Sequence, residues 1–204
     1  IFEKVRNAVR TGSGGLKGRI SHWAFATGAK AHPYRLEGLP LPKVLQIRYD
    51  IADKLVFTKL REKMGGKVQF FISGSAKLSA QVQRWFYNAG IVIVEGYGST
   101  ETSAIASVNV PAAPRFGTVG PVVPGLEVRI ADDGEILLRG PSIMRGYHKD
   151  PERTAEVLSE DGWFSTGDLG EVDSEGFVRI TGRKKDIIVT AGGKNVAPAV
   201  LEDR

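Results

Sequence analysis

The sequence predicts an α/β fold in which a parallel-sheet part is followed by antiparallel β, and three observations lead there. The run Ile91-Val92-Ile93-Val94 is apolar throughout, β-branched and preceded by Gly90, the pattern of a strand buried on both faces. A second apolar run, Val68 to Ile72, comes before it, and a helical stretch from about Ser79 to Asn88 lies between. Strand, helix, strand implies a right-handed parallel crossover. After Pro111 the texture changes to short alternating segments at Val128 to Ile130, Glu135 to Arg139 and Gly176 to Thr181, separated by turn residues, which reads as a small antiparallel barrel.

The elements follow in order. Ile1, Phe2, Val5 and Val9 have helical spacing with no capping residue ahead of them, as in a helix met part-way along. Thr11 to Gly18 is rich in glycine but fits no phosphate-loop frame and follows no strand, so it is read as a loop. His22, Trp23, Phe25 and Tyr34 are expected to form a local packed patch, and nothing marks His22 or His32 as catalytic. From Pro42 to Lys63, Val44, Ile47, Ile51, Leu55, Val56 and Leu60 recur every three or four residues, predicting a long amphipathic helix that stops at Gly65-Gly66. One helix interrupts the β-rich part, with Asp150 as N-cap, Pro151 at its first position and Glu152 beside its positive end. Asp173-Ser174-Glu175-Gly176 reads as a hairpin turn.

A chain of 204 residues suits one large domain or one and a fraction, and its 42 % hydrophobic share can fill a core. The 28 Lys and Arg against 23 Asp and Glu give +5, but the charges are scattered, which argues against nucleic acid. Zero cysteines exclude disulfides, thiolate metal sites and a cysteine nucleophile. No apolar run approaches the roughly 18 residues of a membrane span, and no signal peptide is visible. A soluble, cytoplasmic protein without a transmembrane segment is expected, with peripheral membrane contact left open.

The segment Glu95-Gly96-Tyr97-Gly98-Ser99-Thr100-Glu101 carries the strongest chemical signal, because a buried strand delivers it into a small, hydroxyl-rich, acid-terminated turn. Ligands of open α/β sheets bind where strands end. A hydroxyl there can donate to phosphate, and a carboxylate can hold magnesium, which takes few protein ligands. Capping of the next helix explains the Ser and Thr equally well. Gly74 to Ala76 falls on the same sheet edge, where a missing side chain lets a planar base approach the backbone.

Four further motifs decide between these readings: Ser73-Gly74-Ser75-Ala76, Gly162-Trp163-Phe164-Ser165-Thr166-Gly167-Asp168, Gly182-Arg183-Lys184-Lys185-Asp186 and Ala191-Gly192-Gly193-Lys194-Asn195. In this order and at these separations, they resemble the core motifs of the adenylate-forming superfamily, and most closely those of bacterial long-chain fatty acid CoA ligases. Glu95 and Ser99 stand where peptide-synthetase adenylation domains commonly carry Asn and Pro, which favours a CoA ligase.

The resemblance implies an acetyl-CoA synthetase-like fold with three parts. Residues 1–115 would be the end of the α/β adenylate-binding subdomain, 116–182 a distorted β-barrel, and 183–204 a hinge and the start of a C-terminal domain. It further implies an ATP-dependent ligase that converts a fatty acid to acyl-AMP and passes the acyl group to CoA, with Mg2+ as the metal. Gly74, Ser75 and Ala76 would line the adenine pocket, with Tyr97 stacked on the base. Glu95, Gly96, Gly98 and Ser99 would form its wall and the mouth of the acyl site. Thr100 would meet the α-phosphate and Glu101 would hold magnesium. Asp168 would accept from the ribose hydroxyls, and Arg183 would reach ribose or phosphate. Lys185 would be the hinge, Gly192 would border the pantetheine channel, and Lys194 would meet CoA phosphates.

The bland readings are an Asp in a Gly-flanked turn for Asp168, a solvated basic run for residues 183–185, and core packing for Trp163. The family's Ser/Thr/Gly-rich phosphate loop and its C-terminal catalytic lysine are not found, so these residues are expected to be the middle of a ligase and to make little acyl adenylate alone. A nucleotide-binding or scaffold module without chemistry, or an adenylation domain for another carboxylic acid, remains the alternative.

Overall fold

The computed structural model describes residues 1–12 and 14–186, together with the backbone of two short strands at Ile188–Val189 and Asn195–Val196. The chain divides into two compact units. The first comprises Ile1–Ser73, Leu78–Val94 and Val110–Phe116, and the second Gly74–Lys77, Glu95–Asn109 and Gly117–Arg204. The turns 74–77 and 95–109 therefore group with the β-rich half rather than with their flanking strands. Side-chain bonds supply the reason: the buried Ser107 hydroxyl lies 2.7 Å from the Gly120 carbonyl, and Asn109 Nδ2 donates to the Thr118 carbonyl at 3.0 Å.

The first unit is helical around a short strand pair. Helices α1 (Phe2–Thr11), α2 (Gly15–Leu36) and α3 (Lys43–Ala52) lead into a π turn at Asp53–Phe57 and then α4 (Thr58–Lys63). Strand β1 (Phe70–Ser73), helix α5 (Ala80–Asn88) and strand β2 (Val92–Tyr97) complete the strand, helix, strand succession. Ser79 caps α5 by accepting from the Gln81 amide at 3.2 Å. Phe57, Val82, Phe86 and Ile93 form the buried core, and Phe25 stacks on Trp85 at its edge with ring centroids 4.1 Å apart.

Three expectations need correction here. The glycine-rich stretch read as a loop over Thr11 to Gly18 is helical from Gly15 onward, and the residues read as a local patch lie on the 22-residue helix α2. Its buried face consists of Ala24, Thr27, Gly28 and Ala31, so the helical period is written in small residues rather than large apolar ones. The long amphipathic helix is interrupted by the π turn, and only the last part of its stripe meets the core: Val44 is 70 % and Ile47 60 % exposed, whereas Val56 packs on the core and Leu60 is buried, beside Ala52 and Phe57 from outside the stripe. Strand β1 is half-exposed, with Phe71 against the core and Phe70 and Ile72 exposed, so its alternation rather than its apolarity describes it.

In the second unit, β3 (Ser107–Val108) pairs antiparallel with the end of β2, which is the middle strand of a three-stranded sheet. A five-stranded antiparallel sheet follows in the order β4 (Gly120–Pro121), β8 (Phe177–Arg183), β7 (Phe164–Val172), β6 (Glu135–Arg139), β5 (Glu127–Ile130). Among the described residues β4 and β5 are its outer strands, so the pairing is that of a sheet, not a closed barrel. Helix α6 (Pro151–Val157) is capped by Asp150, which accepts from the Arg153 amide at 3.0 Å. The β7–β8 turn closes on Asp173, whose Oδ1 accepts from the amides of Glu175 and Phe177 at 3.0 and 2.9 Å. Ile136, Leu138 and Val178 form the core beneath. Strands β9 (Ile188–Val189) and β10 (Asn195–Val196) pair antiparallel.

Candidate active site

The second unit contains a hollow of about 1020 Å³ at the place where β2 ends. Ser75 and Ala76 line it from one turn; Glu95, Gly96, Tyr97, Gly98, Ser99 and Glu101 line it from the next. Asp168 and Arg183 line it from the antiparallel sheet, and Lys185 from the short 3-10 turn that follows β8. Gly74 and Thr100 are exposed and do not line it, although their neighbours do. Gly192 and Lys194 lie outside the described residues.

The centre is a three-residue cluster. Asp168 and Arg183 are directly paired positions of β7 and β8, and Arg183 Nε lies 3.1 Å from Asp168 Oδ1. The other carboxylate oxygen, Oδ2, accepts from the Tyr97 hydroxyl at 2.7 Å. Burial pushes the Tyr97 phenol well above its usual range, with the Asp168 charge adding to the effect, so it remains a protonated donor through neutral pH. Asp168 itself is buried, at 9 % exposure, and a carboxylate has acceptor capacity left after two such bonds.

Glu101 follows in a short 3-10 turn, Thr100–Thr102, whose Ser99 cap and Thr102 side chain bond each other's backbone. The Glu101 carboxyl is held below its ordinary value, first by a hydrogen bond from its own backbone and then, against desolvation, by the hydroxyls of Ser99 and Tyr147. It is a charged, hard oxygen donor in the hollow. No group of three or more His, Cys, Asp or Glu residues converges among the described residues, so a cation here would rest on Glu101 and on substrate oxygens, a donor set that suits magnesium.

Sequence reasoning missed a second set of residues. Glu135 is buried and accepts from the Gly167 amide at 2.8 Å and from Lys184 Nζ at 2.7 Å. Lys184 also reaches Asp133 at 2.6 Å, and these two carboxylates raise its affinity for the proton. Within the basic run, therefore, Lys184 is the anchored cation, whereas Lys185 is exposed at the hollow. Tyr147 was likewise unmarked; its hydroxyl donates to Glu101 Oε1 at 3.0 Å. Trp163 was read as packing, and the guanidinium groups of Arg129 and Arg139 lie against its ring, 4.5 and 4.6 Å from the ring centre. The turn Asp132-Asp133-Gly134 was the only cue to the acidic partners of Lys184.

An α/β protein with a hollow at the strand ends, closed by an antiparallel sheet, has the acetyl-CoA synthetase-like fold shared by solved adenylate-handling enzymes. ATP-bound MatB from Rhodopseudomonas palustris is 36 % identical, with a TM-score of 0.62 over 74 % of this chain and 33 % of that one. The anthranilate CoA ligase AuaEII in complex with anthranoyl-AMP is 30 % identical, with a TM-score of 0.58 over 65 % of this chain and 27 % of that one. The AMP-binding enzyme family matches residues 34–148, and the chain belongs to that family. The long-chain-fatty-acid–CoA ligase FadD15 of Mycobacterium bovis is 46 % identical over the whole of this chain and 34 % of its own length. ACSBG2 of Xenopus laevis, named as the same kind of ligase, is 33 % identical over the whole chain and 28 % of its own length. The chain thus spans about a third of the length of the curated relatives it matches.

Proposed function

We propose that this chain is part of an ATP-dependent long-chain fatty acid CoA ligase, supplying the nucleotide cradle in which a carboxylic acid becomes acyl-AMP before transfer to CoA. The observation that carries the reading is the cluster of Tyr97, Asp168 and Arg183 on one hollow, assembled from three motifs far apart in sequence. Asp168 accepts from the ribose hydroxyls while Arg183 holds its carboxylate and faces the phosphate side. Ser75 and Ala76 border the adenine, with Gly74 leaving the approach free of a side chain, and the Tyr97 ring covers the base. Glu95, Gly96, Gly98 and Ser99 shape the wall and Thr100 donates to the α-phosphate.

Glu101 would hold Mg2+, which would supply neutralisation of phosphate charge. No protein nucleophile is required, because both half-reactions are displacements helped by positioning and by charge stabilisation. Lys185 marks the hinge about which a following domain turns, and a rotation of this kind needs only a few backbone torsions. Gly192 and Lys194 belong to the CoA side. The names of the relatives support a long-chain acid as substrate. Residues 1–204 alone lack the family's phosphate loop and C-terminal lysine, and loss of one such charge-stabilising donor costs roughly 100- to 1000-fold in rate.

The test is pyrophosphate exchange with a long-chain acid, together with calorimetry using an acyl-AMP mimic. The full polypeptide that carries this chain should exchange, and residues 1–204 alone should not. Full-rate exchange by residues 1–204, or an acyl-AMP affinity untouched by Asp168→Ala in the full polypeptide, would overturn the reading.

A further inference from the structure

Tyr147 belongs to no motif that marked the site, yet the whole segment from Met144 to Arg153 is built to hold it. The Met144 amide donates to the Glu101 carbonyl at 2.7 Å, which ties this segment to the acidic turn through its backbone. The Tyr147 amide donates to Thr154 Oγ1 at 2.9 Å, and that hydroxyl in turn donates to the Asp150 carbonyl at 2.7 Å. Gly146 has φ +148°, and a Cβ there would meet Thr154 Cγ2 at 2.8 Å, so only glycine lets the chain pass this close to the helix. Arg153 lies over the phenol ring, 4.8 Å from its centre. Backbone, helix cap and cation thus fix one aromatic ring, and its hydroxyl donates to Oε1 of Glu101 at 3.0 Å.

We infer that Tyr147 is a positioning residue that restricts Glu101 to binding a divalent cation through one oxygen, favouring Mg2+ over Ca2+. The inference rests on the proposed metal role of Glu101. A carboxylate with one oxygen engaged by a phenol cannot readily wrap a cation with both. Calcium takes six to eight oxygens and accepts bidentate carboxylates, whereas magnesium demands octahedral geometry with few protein ligands. Partners that orient a metal-binding side chain typically change metal affinity 10- to 100-fold.

The experiment is calorimetric titration of ATP into the full polypeptide without metal, with MgCl2 and with CaCl2, for the wild type, Tyr147→Phe and Glu101→Gln. Tyr147→Phe should raise the Mg2+ concentration needed to tighten ATP binding roughly 10- to 100-fold, leave metal-free ATP affinity unchanged and narrow the Mg2+ to Ca2+ difference. An unchanged Mg2+ requirement in Tyr147→Phe, where Glu101→Gln abolishes the metal effect, overturns the inference and leaves the proposed function standing. Equal losses with and without metal make Tyr147 a fold-supporting residue and overturn it too. No metal effect in the wild type removes the metal role of Glu101, and the inference with it.

Discussion

The Tyr97 hydroxyl donates to Asp168 Oδ2 at 2.7 Å across 71 positions of sequence, and Arg183 Nε takes the opposite oxygen at 3.1 Å. The carboxylate is thereby fixed in plane and position, with acceptor capacity still free for a ligand. Hydrogen bonds to a charged partner contribute roughly 1.5 to 3 kcal/mol. Asp168→Ala should therefore weaken binding of AMP or an acyl-AMP mimic about 10- to 100-fold, and Tyr97→Phe about tenfold at most, since Arg183 still orients the acid. Calorimetry on the two variants checks this, and a stronger effect for Tyr97→Phe would mean that the phenol, not the acid, meets the ligand.

Gly98 was expected to shape the site, and its neighbours give it a prior structural task. The Ala104 amide donates to the Ser99 carbonyl at 3.0 Å and the Ala106 amide to the Tyr97 carbonyl at 2.8 Å, which folds residues 98–106 into a closed turn. A Cβ at Gly98 would run into the Ala104 carbonyl. Gly98→Ala should then destabilise by roughly 1 to 3 kcal/mol, the ordinary cost of overpacking. A thermal melt decides the matter: an unchanged midpoint with weakened nucleotide binding would assign the glycine to the ligand instead.

Arg61 grips Asp53 with both arms of its guanidinium, Nη1 to Oδ1 at 2.7 Å and Nη2 to Oδ2 at 2.8 Å, while Nη1 also donates to the Ala89 carbonyl at 2.9 Å. Burial alone would raise the Asp53 pKa, but the Arg61 bonds outweigh it and hold the carboxyl below its ordinary value. A depressed folded-state pKa stabilises the fold fully above the unfolded value of about 3.9, and that contribution disappears as pH falls through the lower folded value. Both side chains are nearly a third exposed, so the pair contributes about 1 kcal/mol, the upper end for partly solvated ion pairs. Asp53→Asn should lower stability by that amount at pH 7 and converge with the wild type once the pH falls below the lowered folded-state value. Urea melts at neutral and acid pH test it, and a difference that persists in acid would show that packing, not charge, is lost.

The legible parts of this chain were those where one residue type answers one local demand. Asp150 caps its helix where its position before Pro151 indicates, and the Asp173 turn closes as its composition demands. The turns that form the hollow were visible for the same reason: small residues and acids after an apolar strand serve no core. What stayed hidden depends on partners remote in sequence. Glu135 and Lys184, 49 positions apart, read as one residue of an alternating strand and one of a basic run. The apolar stripe of Val44, Ile47 and Ile51 has the right period for a core face, yet all three are exposed ahead of the π turn at 53–57, and only past its start does the stripe reach the core, at Val56 and Leu60. Periodicity reports amphipathicity, not which side is covered.

Helix α2 was the largest omission, and its small-residue face gives the sharpest test of how it packs. Gly28 is buried mid-helix with an ordinary helical backbone, so propensity alone favours alanine there by about 1 kcal/mol. A Cβ at this position would stand 2.5 Å from the Asn88 carbonyl oxygen and 3.0 Å from the Asn88 Cβ. Backbone at the end of α5 cannot yield as a flexible side chain would, and Asn88 is further engaged by His32, whose Nδ1 lies 2.9 Å from its Oδ1. Overpacking of roughly 1 to 3 kcal/mol should therefore exceed the gain in propensity. Gly28→Ala should therefore lower the melting temperature. If Gly28→Ala instead raises the melting temperature, α2 does not approach α5 closely enough to require glycine, and the run of small residues owes its composition to something other than packing.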